Sequence, residues 1–191
     1  MINVPSVIET IGRSSRAFDL PTKLLQDRII YLGEDVNEET SNSIIMQLLW
    51  LNADAPGKEI DFYINSPGGS VYDGLAIKDV IDNLKCKVNT IGLGICASMG
   101  AYLLSAGTGE RKATKNCRIM IHSVSSGTRG TIHDIEIDYK ETKYLQDKLM
   151  QDITDFSKGK SSLETIIEKS QRDCYMSPEE AIELGLIDIR I

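Results

Sequence analysis

The chain has 191 residues, 41% of them hydrophobic, with 28 acidic against 21 basic side chains and a formal net charge of −7. That length is one domain's worth and buries a real core, an aliphatic one because aromatics are only 6%. The acidic balance excludes nucleic acid as the main partner, since phosphate binding needs clustered Lys and Arg, and the run Arg111, Lys112 and Lys115 is too short to reverse it.

The first 25 or so residues read as irregular, punctuated by Pro5, Gly12 and Pro21. Arg28–Leu32 is short and β-branched, which predicts a strand. Glu39–Asn52 predicts a helix, with Ile44, Ile45, Leu48, Leu49 and Leu51 at helical spacing. Ile60–Ile64 is the next strand, leading into Asn65-Ser66-Pro67-Gly68-Gly69-Ser70 and a helix over Val71–Leu84. Val88–Gly94 is a third strand, followed by a helix from Ser98 to about Ser105, and Arg118–His122 a fourth. Strands alternating with helices predict an α/β fold with a largely parallel sheet. No linker or low-complexity tract divides residues 1–191, so one domain is expected.

Thr131 to about Lys158 carries Ile132, Ile135, Tyr139, Leu145, Leu149, Ile153 and Phe156 at steps of three or four residues among dense charge. A helix of that length far exceeds the mean of about 11–12 residues. Such a helix either projects toward a partner or packs along its own domain. The last helix, Ser177–Leu184, has Ser177 as N-cap, Pro178 at its first position, Glu180 closing a capping box and Gly185 ending it.

Cys86, Cys96, Cys117 and Cys174 are widely separated and form no C-x-x-C pair. They read as buried thiols of a reducing compartment, with neither a zinc site nor a disulfide framework. No apolar run approaches the ~18–20 residues that span a bilayer, and Met1–Pro5 lacks the features of a signal peptide. A cytoplasmic protein without membrane contact, metal or cofactor is expected.

Chemistry concentrates in three segments. Gly94-Ile95-Cys96-Ala97-Ser98-Met99-Gly100-Ala101 places one serine among small residues where a strand turns into a helix. The turn suits a nucleophile, and the helix N-terminus offers unpaired N–H groups to a developing oxyanion. A plain N-cap serine fits the same segment. Ser66-Pro67-Gly68-Gly69-Ser70 leaves backbone N–H groups approachable by an anion, as an oxyanion hole, a phosphate cradle or a simple tight turn. Of the two histidines, His122 ends an apolar strand, where an α/β fold presents its functional groups, whereas His133 sits at the charged start of the long helix. His122 is therefore the candidate base. Spacing alone does not choose the acid that would orient it.

Together these residues resemble the proteolytic subunit of the Clp (caseinolytic) protease family over nearly the whole chain. The resemblance rests on Val4-Pro5 with Val7-Ile8-Glu9-Thr10, Asp27–Leu32, Tyr63–Val71, Ala97-Ser98-Met99-Gly100-Ala101, Met120-Ile121-His122, and Arg172-Asp173 followed by Glu180-Ala181, Gly185-Leu186 and Asp188. It implies Ser98 as nucleophile, His122 as base, Asp173 as orienting acid, and the backbone N–H groups of Gly68 and Met99 as oxyanion hole. It implies a crotonase-like spiral of strand–strand–helix units, an N-terminal axial segment over residues 1–25, and a handle helix over 131–158. That helix would interlock two stacked seven-membered rings, of one or of mixed subunits, into a barrel with inward-facing sites. The chain has no nucleotide motif, so a separate AAA+ ATPase unfoldase would feed in unfolded protein substrates.

The chain departs from the family pattern at three places. Ser123-Val124-Ser125-Ser126-Gly127 follows His122 where relatives carry Gln-Pro-x-Gly-Gly. Gln171 replaces a common acid that links rings, and Asp61 replaces an aromatic residue of the unfoldase-docking pocket. An incompletely aligned triad is the expectation from the first two. The competing functions are a low-activity structural paralogue working in mixed rings beside an active sister subunit, and a crotonase-type acyl-CoA enzyme.

Overall fold

The structure is a computed structural model that describes residues 5–12 and 14–191. Its N-terminal part corrects the expectation of an irregular segment, of which residues 1–4 and 13 lie outside the described ones. Strands β1 (Ser6–Ile11) and β2 (Ser14–Asp19) pair antiparallel from Ser6↔Asp19 to Ile11↔Ser14. Val7, Ile8 and Thr10 supply β-branched positions, and Gly12, at φ 64°, serves the turn. Helix α1 (Leu20–Gln26) follows at once, its N-cap Asp19 accepting a hydrogen bond from the Thr22 N–H at 2.7 Å. Pro21 lies in the first turn of α1, so it starts a helix where punctuation was expected.

The remaining elements are β3 (Ile29–Leu32), α2 (Glu38–Asp54), β4 (Ile60–Ser66), α3 (Val71–Asn83), β5 (Val88–Ala97) and α4 (Met99–Ser105). Then come β6 (Arg111–Ala113), β7 (Arg118–Ile121), α5 (Ile132–Phe156), α6 (Leu163–Ser170), β8 (Cys174–Met176), α7 (Pro178–Leu184) and β9 (Ile189–Arg190). The α/β alternation expected from the sequence is present. Three short strands, β6, β8 and β9, have too few residues to show a period of their own, and α6, capped by Ser162, was not expected.

Strands β3, β4, β5, β6 and β9 run parallel in that order. β5 is the axis of the sheet. Its first half pairs with β6 through Thr90–Gly92, and its second half with β7 through Ile95–Ala97. Between the halves lies Gly94 at φ 52°, where an added Cβ would meet Asn65 Oδ1 at 2.7 Å. Asn65 Oδ1 accepts the Ile95 N–H at 3.1 Å and so fixes the bend. The β4–β5 register shifts there, between Ile64 and Ser66. β8 runs antiparallel to β7, with Ile121 opposite Cys174.

The core is aliphatic. Ile30, Leu48, Leu51, Ile60, Phe62, Ile64, Ile77 and Leu103 are fully buried between the sheet and α2, α3 and α4. Alternate residues of β4 point inward, while Val88–Ile91 of β5 are buried on both faces, as a central parallel strand requires. Apart from α4, the described helices start on side-chain caps, with capping boxes Asn37–Thr40 at α2, Thr131–Asp134 at α5 and Ser177–Glu180 at α7. Gly185 ends α7 at φ 81°, as its place after Leu184 predicts.

Helix α5 divides its apolar stripe. Leu145, Leu149, Met150 and Ile153 are buried in their own subunit, whereas Ile132, Ile135, Ile137 and Tyr139 of the first half are exposed. A single partner face along the whole helix is therefore not what forms. Arg111 is likewise no surface cation. It is buried, and its guanidinium donates to Asp188 and to the carbonyls of Ser105, Phe156 and Gly185. One side chain thus joins β6, the end of α5, the C-cap of α7 and the turn into β9. All four cysteines are free; Cys86, Cys96 and Cys117 are buried, and Cys174 is half-buried rather than enclosed. Among the described residues no helix is long and apolar enough to cross a membrane.

Candidate active site

The end of β5 delivers Ser98 to the position just before α4. Its backbone is strained, at φ 53° and ψ −122°. Its side chain makes no capping hydrogen bond to α4, which removes the plain N-cap reading. The Oγ lies instead 2.9 Å from His122 Nε2. Parallel pairing of β5 with β7 makes this possible: the Ser98 N–H donates to the Met120 carbonyl at 2.8 Å, two residues before His122.

The antiparallel β7–β8 pair sets the third group. Because Ile121 faces Cys174, the preceding Asp173 comes opposite His122. His122 Nδ1 stands 3.1 Å from Asp173 Oδ1. A carboxylate only accepts, so Nδ1 carries the proton and donates, and Nε2 is left to accept the Ser98 hydroxyl. Asp173 is 59% exposed at its side chain and His122 27%, so the acid sits at the rim of the site. His133 is exposed on the first turn of α5, on a separate element.

The Gly68–Gly69 turn packs directly against the serine. A Cβ on Gly68, at φ 100°, would come within 2.7 Å of both the Ala97 carbonyl and Ser98 Cβ. A Cβ on Gly69, at φ 148°, would come within 2.1 Å of the Val36 carbonyl. Glycine is required at both places. Val36 anchors the turn, its N–H donating to the Gly68 carbonyl and its carbonyl accepting the Ser70 N–H, each at 2.8 Å. The Gly68 N–H, expected as an oxyanion donor, donates instead to Ser66 Oγ at 3.1 Å. The neighbouring residue, Gly69, lines the cavity together with Ser98 and Met99. Met99 opens α4, and the first N–H of a helix has no partner within it.

Beside Ser98 the cavity wall is apolar, with Val71, Tyr102, Val124, Leu149, Met150 and Ile153. The Tyr102 hydroxyl donates to Asp152 Oδ2 at 2.8 Å. Burial, and then that bond, push its pKa up, so it stays neutral.

The segment after His122 is tied down. Ser123 Oγ donates to the Ser170 carbonyl at 2.9 Å, and the Val124 N–H donates to Gln146 Oε1 at 2.6 Å. Ser98, His122 and Asp173 are in hydrogen-bond contact beside this segment. Gln171 is exposed. Asp61 is joined to Glu59 by Asn89, whose Nδ2 lies 3.0 Å from a carboxylate oxygen of each. The glycine pair is visible in the sequence as a possible oxyanion cradle, but only the structure separates Gly69, which lines the cavity, from Gly68. Nothing in the sequence points to the contact of Ser123 with Ser170.

The family model for Clp protease matches residues 12–191. The "ATP-dependent Clp protease proteolytic subunit 1" of Prochlorococcus marinus (strain MIT 9312) is 49% identical over 187 residues, 97% of this chain and 95% of that protein. The "ATP-dependent Clp protease proteolytic subunit 2" of Parasynechococcus marenigrum (strain WH8102) is 48% identical over 186 residues, 97% of this chain and 93% of that protein.

Proposed function

This chain belongs to the Clp protease family, as a proteolytic subunit of the serine-peptidase type, and we propose that Ser98, His122 and Asp173 are its catalytic triad. The observation that carries the proposal is the unbroken contact from Ser98 Oγ to His122 Nε2 at 2.9 Å and from His122 Nδ1 to Asp173 Oδ1 at 3.1 Å.

In this reading Ser98 Oγ attacks the peptide carbonyl while its proton passes to His122 Nε2. Asp173 holds the ring in the required tautomer and stabilises the imidazolium. The oxyanion is received by the N–H of Met99 and, from the glycine turn, that of Gly69. The Gly69 amide takes the role because the Gly68 N–H is already given to Ser66. A preorganised donor of this kind is worth about 10²–10³ in kcat. His122 returns the proton to the leaving amine, and a water molecule deprotonated by the same imidazole releases the acyl group from Ser98. The apolar wall beside Ser98 suits an apolar side chain on the acyl side of the cleaved bond.

The substrates are unfolded polypeptides and the cleavage endopeptidic. The relatives' names call those proteins ATP-dependent. By that likeness this chain works in an oligomer, two stacked seven-membered rings of one or of mixed subunits, served by an AAA+ ATPase. The exposed first half of α5 is the part available for such contacts. A crotonase-type enzyme needs no Ser–His–Asp contact of this kind.

Reaction of the pure protein with a fluorophosphonate, followed by peptide mapping, tests the triad. Modification at Ser98 that disappears in His122→Ala is the expected result. Modification elsewhere, or none at Ser98, would overturn it.

A further inference from the structure

We infer that Ser123 is a positioning residue that holds Asp173 against His122. This inference rests on the triad reading above.

Asp173 has little of its own to hold it. Its side chain is 59% exposed, and His122 is its one side-chain hydrogen-bond partner among the described residues. It lies in the short connection between the end of α6 and the start of β8. An exposed carboxylate on such a connection has rotamer and backbone freedom that a buried one lacks. Its average position is set by whatever fixes the two ends of the connection.

One end is fixed by β8, through the Ile121–Cys174 pair. The other end is Ser170, the last residue of α6, three positions before Asp173. Carbonyls in the last turn of a helix have no partner within it, and Ser170 is buried away from water. Its carbonyl is satisfied by Ser123 Oγ at 2.9 Å. Ser123 is the residue next to His122. The strand that carries the base therefore reaches across and grips the helix end that leads to the acid. The grip continues the β7–β8 pairing past the end of the ladder, so base and acid move as one unit.

The segment Ser123–Ser126 thus does more than replace a stiffer Pro/Gly stretch. Its first residue supplies a hydroxyl of the right length to close this contact, and alanine at that place supplies nothing. Loss of one neutral hydrogen bond corresponds to roughly three- to tenfold in rate if all of it is felt in the aligned state.

The test is a double-mutant cycle read by the rate of Ser98 acylation with a fluorophosphonate at saturation, on the full-length assembled protein. Ser123→Ala should slow acylation roughly three- to tenfold with little change in the half-saturating concentration. Ser123→Thr, which keeps a hydroxyl, should restore at least half of the wild-type rate. In an Asp173→Asn background the same Ser123→Ala change should cost less than about twofold, because a residue acting through Asp173 has nothing left to position. An equal loss in both backgrounds, failure of threonine to rescue, or no loss from Ser123→Ala would overturn the inference. Asp173→Asn as fast as wild type would instead remove the triad reading itself, and this inference with it.

Discussion

Ser98 Oγ stands 2.9 Å from His122 Nε2 while the Ser98 backbone occupies φ 53° and ψ −122°, a conformation that L-residues avoid. The proposed nucleophile and the backbone strain are therefore located in one residue. Ser98→Ala should lower peptide hydrolysis by on the order of 10⁴-fold or more, because triad members act as a unit. Ser98→Gly should be equally inactive but more stable than Ser98→Ala, by about 1 kcal/mol, since glycine accepts positive φ. Chemical denaturation of the two variants reads the difference. Equal midpoints would mean that no strain is stored there.

Asp173→Asn should keep the fold and cripple turnover. Asparagine presents the ring with a donor as readily as an acceptor and gives no charge to the imidazolium. Replacement of a buried triad acid costs about 10⁴-fold. Asp173 is 59% exposed, so water shares the stabilisation of charge, and a loss of roughly 10²–10⁴-fold is expected. Steady-state hydrolysis of a fluorogenic peptide measures it. A near-normal rate would show that another group orients His122.

The two halves of α5 should respond differently to a charge. Leu149 is buried against its own subunit, so Leu149→Glu should destabilise the protomer by several kcal/mol through an unpaired buried carboxylate, about 3–5 on the scale of broken buried pairs. Ile137 and Tyr139 are 65% and 66% exposed. Ile137→Glu with Tyr139→Glu should leave protomer stability nearly unchanged and lower the mass of the assembled particle. Analytical ultracentrifugation and thermal melts separate the two effects. An unchanged particle mass in the double variant would mean that the exposed half is not an assembly contact.

The Arg111–Asp188 pair should make the C-terminal region acid-sensitive. Hydrogen bonds from Arg111 hold the Asp188 carboxyl well below the usual carboxylate range. A depressed folded-state pKa gives stability that is present above the unfolded value, about 3.9, and lost as pH falls below it. Asp188→Asn should therefore lower stability at pH 7 and flatten its decline below about pH 4. Asp188→Ala leaves a buried guanidinium without its carboxylate and should cost about 3–5 kcal/mol at pH 7. Denaturant titrations at pH 7 and pH 3 compare the variants with wild type. Parallel pH profiles for wild type and Asp188→Asn would show that other carboxylates carry the acid response.

Much of this molecule is legible from neighbouring residues alone. The helices of α2, α3 and α7 follow from apolar spacing and caps that act within three or four positions. Helix α1 is masked in the sequence by Pro21, a residue that breaks a helix interior but opens a helix at its first turn.

The sequence by itself determined the α/β alternation, the serine at a strand–helix junction and the histidine at a strand end, because each is a local pattern. The tertiary structure alone decided which acid the histidine contacts, which half of α5 is covered and which residue of the glycine turn lines the cavity. Ser98 and His122 are 24 positions apart, His122 and Asp173 51, Arg111 and Asp188 77. Contacts at those separations depend on strand order and register, here β5 beside β7 and β7 beside β8. A shift of one residue in either ladder would turn the side chains to the opposite face, so the chemistry of the site is a property of the pairing rather than of any segment.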